Sequence, residues 1–217
     1  MVTSALNRAL VALPVLAVGF VIYSLVVALG EVRGLDQDTF RTFQHLWVPG
    51  LLPLFQAIAL LGGIEATTLL TAGLAVYLWR TGFRAEAWTM LVLPVAVGVE
   101  VVYRRLLYQP GPPGDRPDGP SLTQFVGVAQ GSSYPSGHVM RAVIVYGLAA
   151  FVVHRLAPPG PLRRLVLPAA AVMIAAVAID RLYLSVHWQS DVIGGLLLGG
   201  LALAAAVVWL DRPRVPR

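Results

Sequence analysis

Imidazole, guanidinium and carboxylate groups recur in this chain at the ends of apolar runs, in an arrangement suited to phosphate. Three short polar islands hold them: Arg116-Pro117, then Pro135-Ser136-Gly137-His138, then Arg181 followed by His187 and Asp191. If residues 187–191 are helical, His187 and Asp191 share a face. The carboxylate can then accept from one ring nitrogen and leave the other free as a nucleophile or base. Arg181 offers a planar fork of donors for phosphate oxygens. The second island runs straight into an apolar segment, with a proline suited to a first helical position and a serine suited to capping. The free amides and dipole of such a helix start make an anion site, and Gly137 is expected to let a ligand approach the backbone. An ordinary capped helix start and an interfacial salt bridge are the bland alternatives. Ionisable groups at membrane depth are expensive and usually functional, which favours the chemical reading.

The scaffold for these islands follows from composition. The chain has 217 residues, 57% hydrophobic and only 12% charged, with a mean hydropathy of +0.74. That balance is an integral membrane protein's, not a soluble domain's. Cysteine is absent, which excludes disulfides, thiolate catalysis and cysteine metal sites. The net charge of +5 comes from 16 arginines and no lysine. Because the arginines sit at the ends of apolar segments, they report topology and not nucleic-acid binding.

Apolar runs predict an all-α, polytopic protein with six transmembrane helices and an interfacial helix after the first span, in one domain covering 1–217. The first span covers about 9–30 and is too long for a signal peptide. Residues 31–45 are amphipathic. Residues 46–63, broken by Pro49, Pro53 and Gly62-Gly63, form an interfacial or partly inserted piece. Further spans are expected at about 64–80, 85–107, 136–154, 164–184 and 191–210. Arg8, Arg80, Arg84, Arg155, Arg163, Arg164, Arg212, Arg214 and Arg217 then share one side. The positive-inside rule makes that side cytoplasmic, with both termini there and the islands on the extracytoplasmic face of the cell membrane. Loop 108–135 has 28 residues, 11 of them Gly or Pro. Tethered between two spans, it reads as a lid or substrate gate.

The islands resemble the signature of the type 2 phosphatidic acid phosphatase family, which also includes bacterial acid phosphatases and vanadium haloperoxidases. That signature runs Lys-x6-Arg-Pro, Pro-Ser-Gly-His, then Ser-Arg-x5-His-x3-Asp. The second motif matches in full, and the third matches at Arg181, His187 and Asp191 with Asp180 in place of serine. Strict spacing back from Arg116 puts Gln109 at the lysine position. Arg104, at the end of the third span, is the better stand-in because arginine can do a lysine's electrostatic work. The resemblance implies that His187 attacks phosphorus, that Asp191 orients it, and that His138 protonates the leaving group and then activates water. It assigns the phosphoryl oxygens to Arg181, Arg116, Arg104 and the amides of Ser136 and Gly137, with no metal and no cofactor. The implied partner is a lipid phosphate among membrane lipids: undecaprenyl pyrophosphate, phosphatidylglycerol phosphate or phosphatidic acid. The residues do not choose among these, nor do they set an oligomeric state. A lipid phosphotransferase and a non-catalytic transporter or scaffold are the other classes.

Several residues have plainer expected roles. Glu100 precedes Arg104 by four and suits an i,i+4 pair. Arg141, one turn into the fourth span, must face the bundle or the site, with structural pairing favoured. Gly195 and Gly199 fit close helix packing. Tyr183 and Trp188 read as belt aromatics, and His45 and His154 as interfacial.

Overall fold

The structure, a computed structural model, describes residues 2–114, 116 and 131–211. Pro117, Arg212, Arg214, Arg217 and most of the expected gate in loop 108–135 lie outside the described residues. The described residues form nine α-helices and no strand. These are α1 (Val2–Ala28), α2 (Arg33–His45), α3 (Leu52–Gly62), α4 (Ile64–Arg80), α5 (Arg84–Thr89), α6 (Val92–Leu106), α7 (Gly137–Leu156), α8 (Pro161–Tyr183) and α9 (Gln189–Asp211). A single 3-10 turn, Pro49–Leu51, precedes α3.

Five helical segments are long and apolar enough to cross a membrane: α1, the 84–106 stretch, α7, α8 and α9. The count becomes six if α2 and the 49–62 segment, bent by 96° at their break, make one span. The helix expected at 64–80 forms with those bounds, and its 17 residues sit at the short end of the range of about 17–25 that crosses a hydrocarbon core. Proline accounts for two departures from the expected spans. The 85–107 span is two helices, because Pro94 lacks an amide hydrogen and crowds the carbonyl of Met90, where α5 gives way to α6. Pro14 by contrast sits inside a continuous α1, which starts at Val2 and not near residue 9. Neighbouring groups in a transmembrane helix make such a proline tolerable.

The arrangement follows from which helices are apolar all round. The most buried span is α7, and α1 is the most exposed, as expected of a central helix and a lipid-facing one. One core cluster joins Phe20 of α1, Leu93 and Ala96 of α6, Met140 and Ile144 of α7, and Leu198 of α9. A second joins Leu78, Ala87 and Met90 to Leu148, Val152 and Ala206. A third, Val139, Ala142, Val177 and Val192, binds α7, α8 and α9 together. The close packing expected of Gly195 and Gly199 is found. A Cβ on Gly195 would stand 2.6 Å from the Ser136 carbonyl oxygen, and one on Gly199 2.9 Å from that of Met140. This proximity locks the start of α9 against the start of α7. At the far end of the bundle, Arg155 pairs with Glu86 at 3.6 Å and with Asp211.

Candidate active site

The C-terminal ends of α6 and α8, the N-terminal ends of α7 and α9, and helix α2 meet at one end of the bundle. His187 lies in the turn between α8 and α9. Its Nδ1 is 3.1 Å from Oδ2 of Asp191, the one-face pairing that the spacing predicts. Asp191 is the third residue of α9, and its Oδ2 also accepts from the Trp188 amide at 2.8 Å. That reach back to the amide before the helix is half of a capping box. The other oxygen, Oδ1, accepts from Nε2 of Gln109 at 3.1 Å. Asp191 is fully buried, so these donors replace the water that a carboxylate needs. The bond leaves Nε2 of His187 as the free ring nitrogen.

The start of α7 is tied to this turn by the Ser136 amide, which donates to the Asp191 carbonyl at 2.9 Å. Ser136 is the residue before the helix, with Pro135 preceding it and not at the first helical position, and its hydroxyl makes no capping bond. The Ser136 Oγ is fully buried and, among the described residues, has no hydrogen-bond partner. A polar atom left in that state at a helix start suits an incoming anion oxygen.

Gly137 also has a packing role. A Cβ there would meet Oε1 of Glu100 at 2.2 Å and Nη1 of Arg141 at 2.7 Å. That space is filled by an ion pair from α6 and α7, which the lack of a side chain at Gly137 accommodates. Glu100 is buried and pairs with Arg104 at 3.0 Å and with Arg141 at 3.5 Å. Arg141 also donates through Nε to the Gly62 carbonyl at 3.2 Å, and its Nη2 is 3.5 Å from Nδ1 of His138. Arg181, Arg141, His187 and Arg104 all lie within electrostatic reach of His138.

The two candidates for the lysine position both reach this end of the bundle. Arg104 donates to the carbonyls of Ser132 at 2.9 Å and Pro135 at 3.3 Å, holding the approach to α7. Gln109 bonds Asp191 and, at 3.0 Å, the Ser190 hydroxyl. Arg116 rests over the Trp47 ring at 4.0 Å. It donates to the Tyr183 carbonyl, to Gln44 and, at 3.0 Å, to the Ser185 hydroxyl. Ser185 has φ of 56°, an uncommon backbone state for a residue with a Cβ. Arg181 is fully buried, and its Nε donates to Asp180 at 2.8 Å.

Sequence reasoning missed two supports. Asp36 of α2 accepts from the Ser190 amide at 2.8 Å and hydroxyl at 2.7 Å, a capping carboxylate supplied from another helix. Only the polarity of residues 31–45 hinted at it. Tyr134 is the second, sharing a 2.9 Å hydrogen bond with Ser24 of α1. Burial pushes its phenol up to about 12, so it remains a neutral post under the start of α7. Trp188, expected in the aromatic belt, donates to the Pro110 carbonyl at 2.8 Å. His154 lies near the Arg163 carbonyl at 3.1 Å, away from the site.

A cavity of about 710 Å³ opens between α4 and the α5–α6 stretch. Ile64, Ala72, Val76, Trp79, Met90 and Val97 are among its walls, and Arg141 lies at its inner limit.

Comparison with known proteins adds three findings. The family model described as the PAP2 superfamily matches residues 105–214. The Escherichia coli (strain K12) protein YbjG, whose name proposes an undecaprenyl-diphosphatase, is 30% identical over 138 residues, 63% of this chain and 65% of that protein. Phosphatidylglycerophosphatase B of Bacillus subtilis (strain 168) is 43% identical over 68 residues, 31% of this chain and 34% of the relative. The chain thus spans less than two thirds of the length of either relative. The crystal structure of a transmembrane PAP2 type phosphatidylglycerolphosphate phosphatase from Bacillus subtilis superposes with a TM-score of 0.73 at 23% identity. It covers 89% of this chain and 94% of that one, a likeness of fold.

Proposed function

This chain belongs to the PAP2 superfamily, and on that premise we propose that it hydrolyses a phosphate ester or diphosphate carried on a lipid. The observation that carries the proposal is the His187–Asp191 pair, seated beside the Ser136 hydroxyl at the start of α7, which has no hydrogen-bond partner among the described residues. Asp191 accepts from Nδ1, so the Nε2 lone pair of His187 is available to attack phosphorus and form a phosphohistidine. Phosphoryl transfer asks mainly for in-line placement and donors to the equatorial oxygens. Arg181, the Ser136 hydroxyl and the first amides of α7 are the donors for that task. His138 is the second imidazole at the site, and Arg116 and Arg104 hold the walls around it. Water then cleaves the phosphorus–nitrogen bond.

The substrate class follows from the surroundings. A phosphate bound at the end of a bundle of lipid-crossing helices, beside an apolar cavity that opens between α4 and α6, belongs to an amphiphile. The phosphate sits at the interface and the tail lies among the helices. Undecaprenyl and phosphatidylglycerol phosphates, suggested by the relatives' names, both meet that description. Arginine placement supports a site on the extracytoplasmic face.

Purified protein in detergent, given a panel of lipid phosphates, should release inorganic phosphate. The His187→Ala variant should release essentially none and form no acid-labile phosphoenzyme. Release at the wild-type rate from His187→Ala, or none from the wild type on any lipid, overturns the proposal.

A further inference from the structure

Asp180 is a buried acid that the proposed reaction does not use. It lies in the last turn of α8 and, like its neighbour Arg181, is fully enclosed. Two effects make a carboxylate unfavourable there. The carbonyl end of a helix carries partial negative charge, which repels an anion and suits a cation. A buried charge also loses its hydration, and a buried ion pair contributes little net stability over neutral groups of similar volume. Stability alone therefore gives no reason for an acid at this position, where the third motif of the family has serine.

The contacts of Asp180 supply a reason. Successive residues of a helix point about 100° apart and do not face each other. Arg181 nevertheless turns its guanidinium back onto its neighbour. Its Nε donates to Oδ2 of Asp180 at 2.8 Å, and its Nη2 donates to the same oxygen. One edge of the planar fork is thus set against a carboxylate. Arg104 and Arg141 differ, since the two of them share the carboxylate of Glu100. Arg181 also lies within electrostatic reach of both His138 and Arg141, so its charge is felt where the two imidazoles meet.

That charge bears most on the end of the cycle. Inorganic phosphate, the product of the proposed reaction, brings its negative charge to a pocket of arginines. Each arginine that holds the transferring group also holds this product, and binding energy realised equally in ground and transition states adds nothing to kcat. A carboxylate against Arg181 offsets part of the positive charge and loosens the hold on the anion.

We infer that Asp180 is a positioning residue that sets the phosphate affinity of the site: by pairing with Arg181 it offsets the arginine's charge and keeps the released inorganic phosphate weakly held. The inference rests on the hydrolase reading above and adds to it the step that follows cleavage of the phosphorus–nitrogen bond.

The test is isothermal titration of the purified protein in detergent with inorganic phosphate, beside steady-state hydrolysis of a lipid phosphate. The wild type should bind phosphate with a Kd on the order of 1 mM or weaker, and a Kd of about 1 μM or tighter overturns the inference. Asp180→Asn keeps the size and an acceptor for Arg181 but removes the charge. It should tighten the Kd, and the inhibition constant of phosphate in the hydrolysis assay, roughly tenfold or more. Asp180→Ser, also neutral, should shift both constants the same way and stands in for the asparagine variant if that protein unfolds. A merely structural acid would leave the affinity of the folded fraction unchanged or, by loosening Arg181, weaken it, and either result overturns the inference. Unchanged phosphate affinity with turnover intact sinks the inference and spares the hydrolase reading. No turnover by the wild type on any lipid phosphate sinks both.

Discussion

Asp191 serves three partners with two oxygens: the His187 ring and the Trp188 amide on one, and the Gln109 amide on the other. In the proposed reaction the first bond sets the tautomer of the His187 ring, and the other two keep the carboxylate from turning away from it. Gln109 therefore matters to the chemistry without touching phosphate. Removing a hydrogen bond to a buried charge costs about 1.5–3 kcal/mol. Gln109→Ala should lower kcat roughly 10- to 100-fold with a smaller change in KM, measured by steady-state phosphate release. A fall confined to KM would show that Gln109 binds the headgroup instead. Strict spacing puts this residue at the lysine position, although Arg104 is the better electrostatic stand-in. Spacing alone could not reveal that an amide there turns toward a carboxylate 82 positions away.

At the scale of the helices, the site depends on how α9 begins. Its first turn is held by Asp191, which reaches back to the Trp188 amide, and by Asp36 of α2, which serves the Ser190 amide and hydroxyl across the fold. Losing such a cap costs about 0.5–2 kcal/mol. Asp36→Ala should lower the midpoint of thermal unfolding in detergent and also loosen the turn that holds His187. Asp36→Asn, which still accepts, should recover most of both. An unchanged midpoint together with unchanged activity would show that α9 starts without help. Helices were legible wherever apolar periodicity ran long, as in α7, α8 and α9. Adjacent residues on one helix face were legible too, since the His187–Asp191 and Glu100–Arg104 pairs follow from a four-residue step. Contacts between helices were not, because one amphipathic stretch such as 31–45 can turn its polar face toward many neighbours. The packing role of Gly137 was hidden for the same reason. A glycine announces that something comes close, and only the packing of α6 on α7 says what it is.

For the molecule as a whole, the arrangement has two polar ends and an apolar middle. The Glu86–Arg155–Asp211 cluster closes one end and the candidate site the other, with close helix contacts at Gly195 and Gly199 near the site. Orientation is open to direct measurement because the chain contains no cysteine. Tyr108 and Leu162 are well exposed, at 73% and 63%, on the two sides that the arginine distribution assigns to different compartments. In intact cells a membrane-impermeant maleimide should label Tyr108→Cys and spare Leu162→Cys; the reverse pattern would place the site in the cytoplasm. The region shared with the family begins at residue 105, yet Asp36, Gln44 and Glu100 all lie before it. Each reaches forward, to Ser190, to Arg116 and to Arg141. The N-terminal half is thus no interchangeable anchor. A chimera that joined residues 105–214 to the leading half of a relative would bring Arg116, His138, Arg181, His187 and Asp191, and leave behind Arg104 and three of their supports.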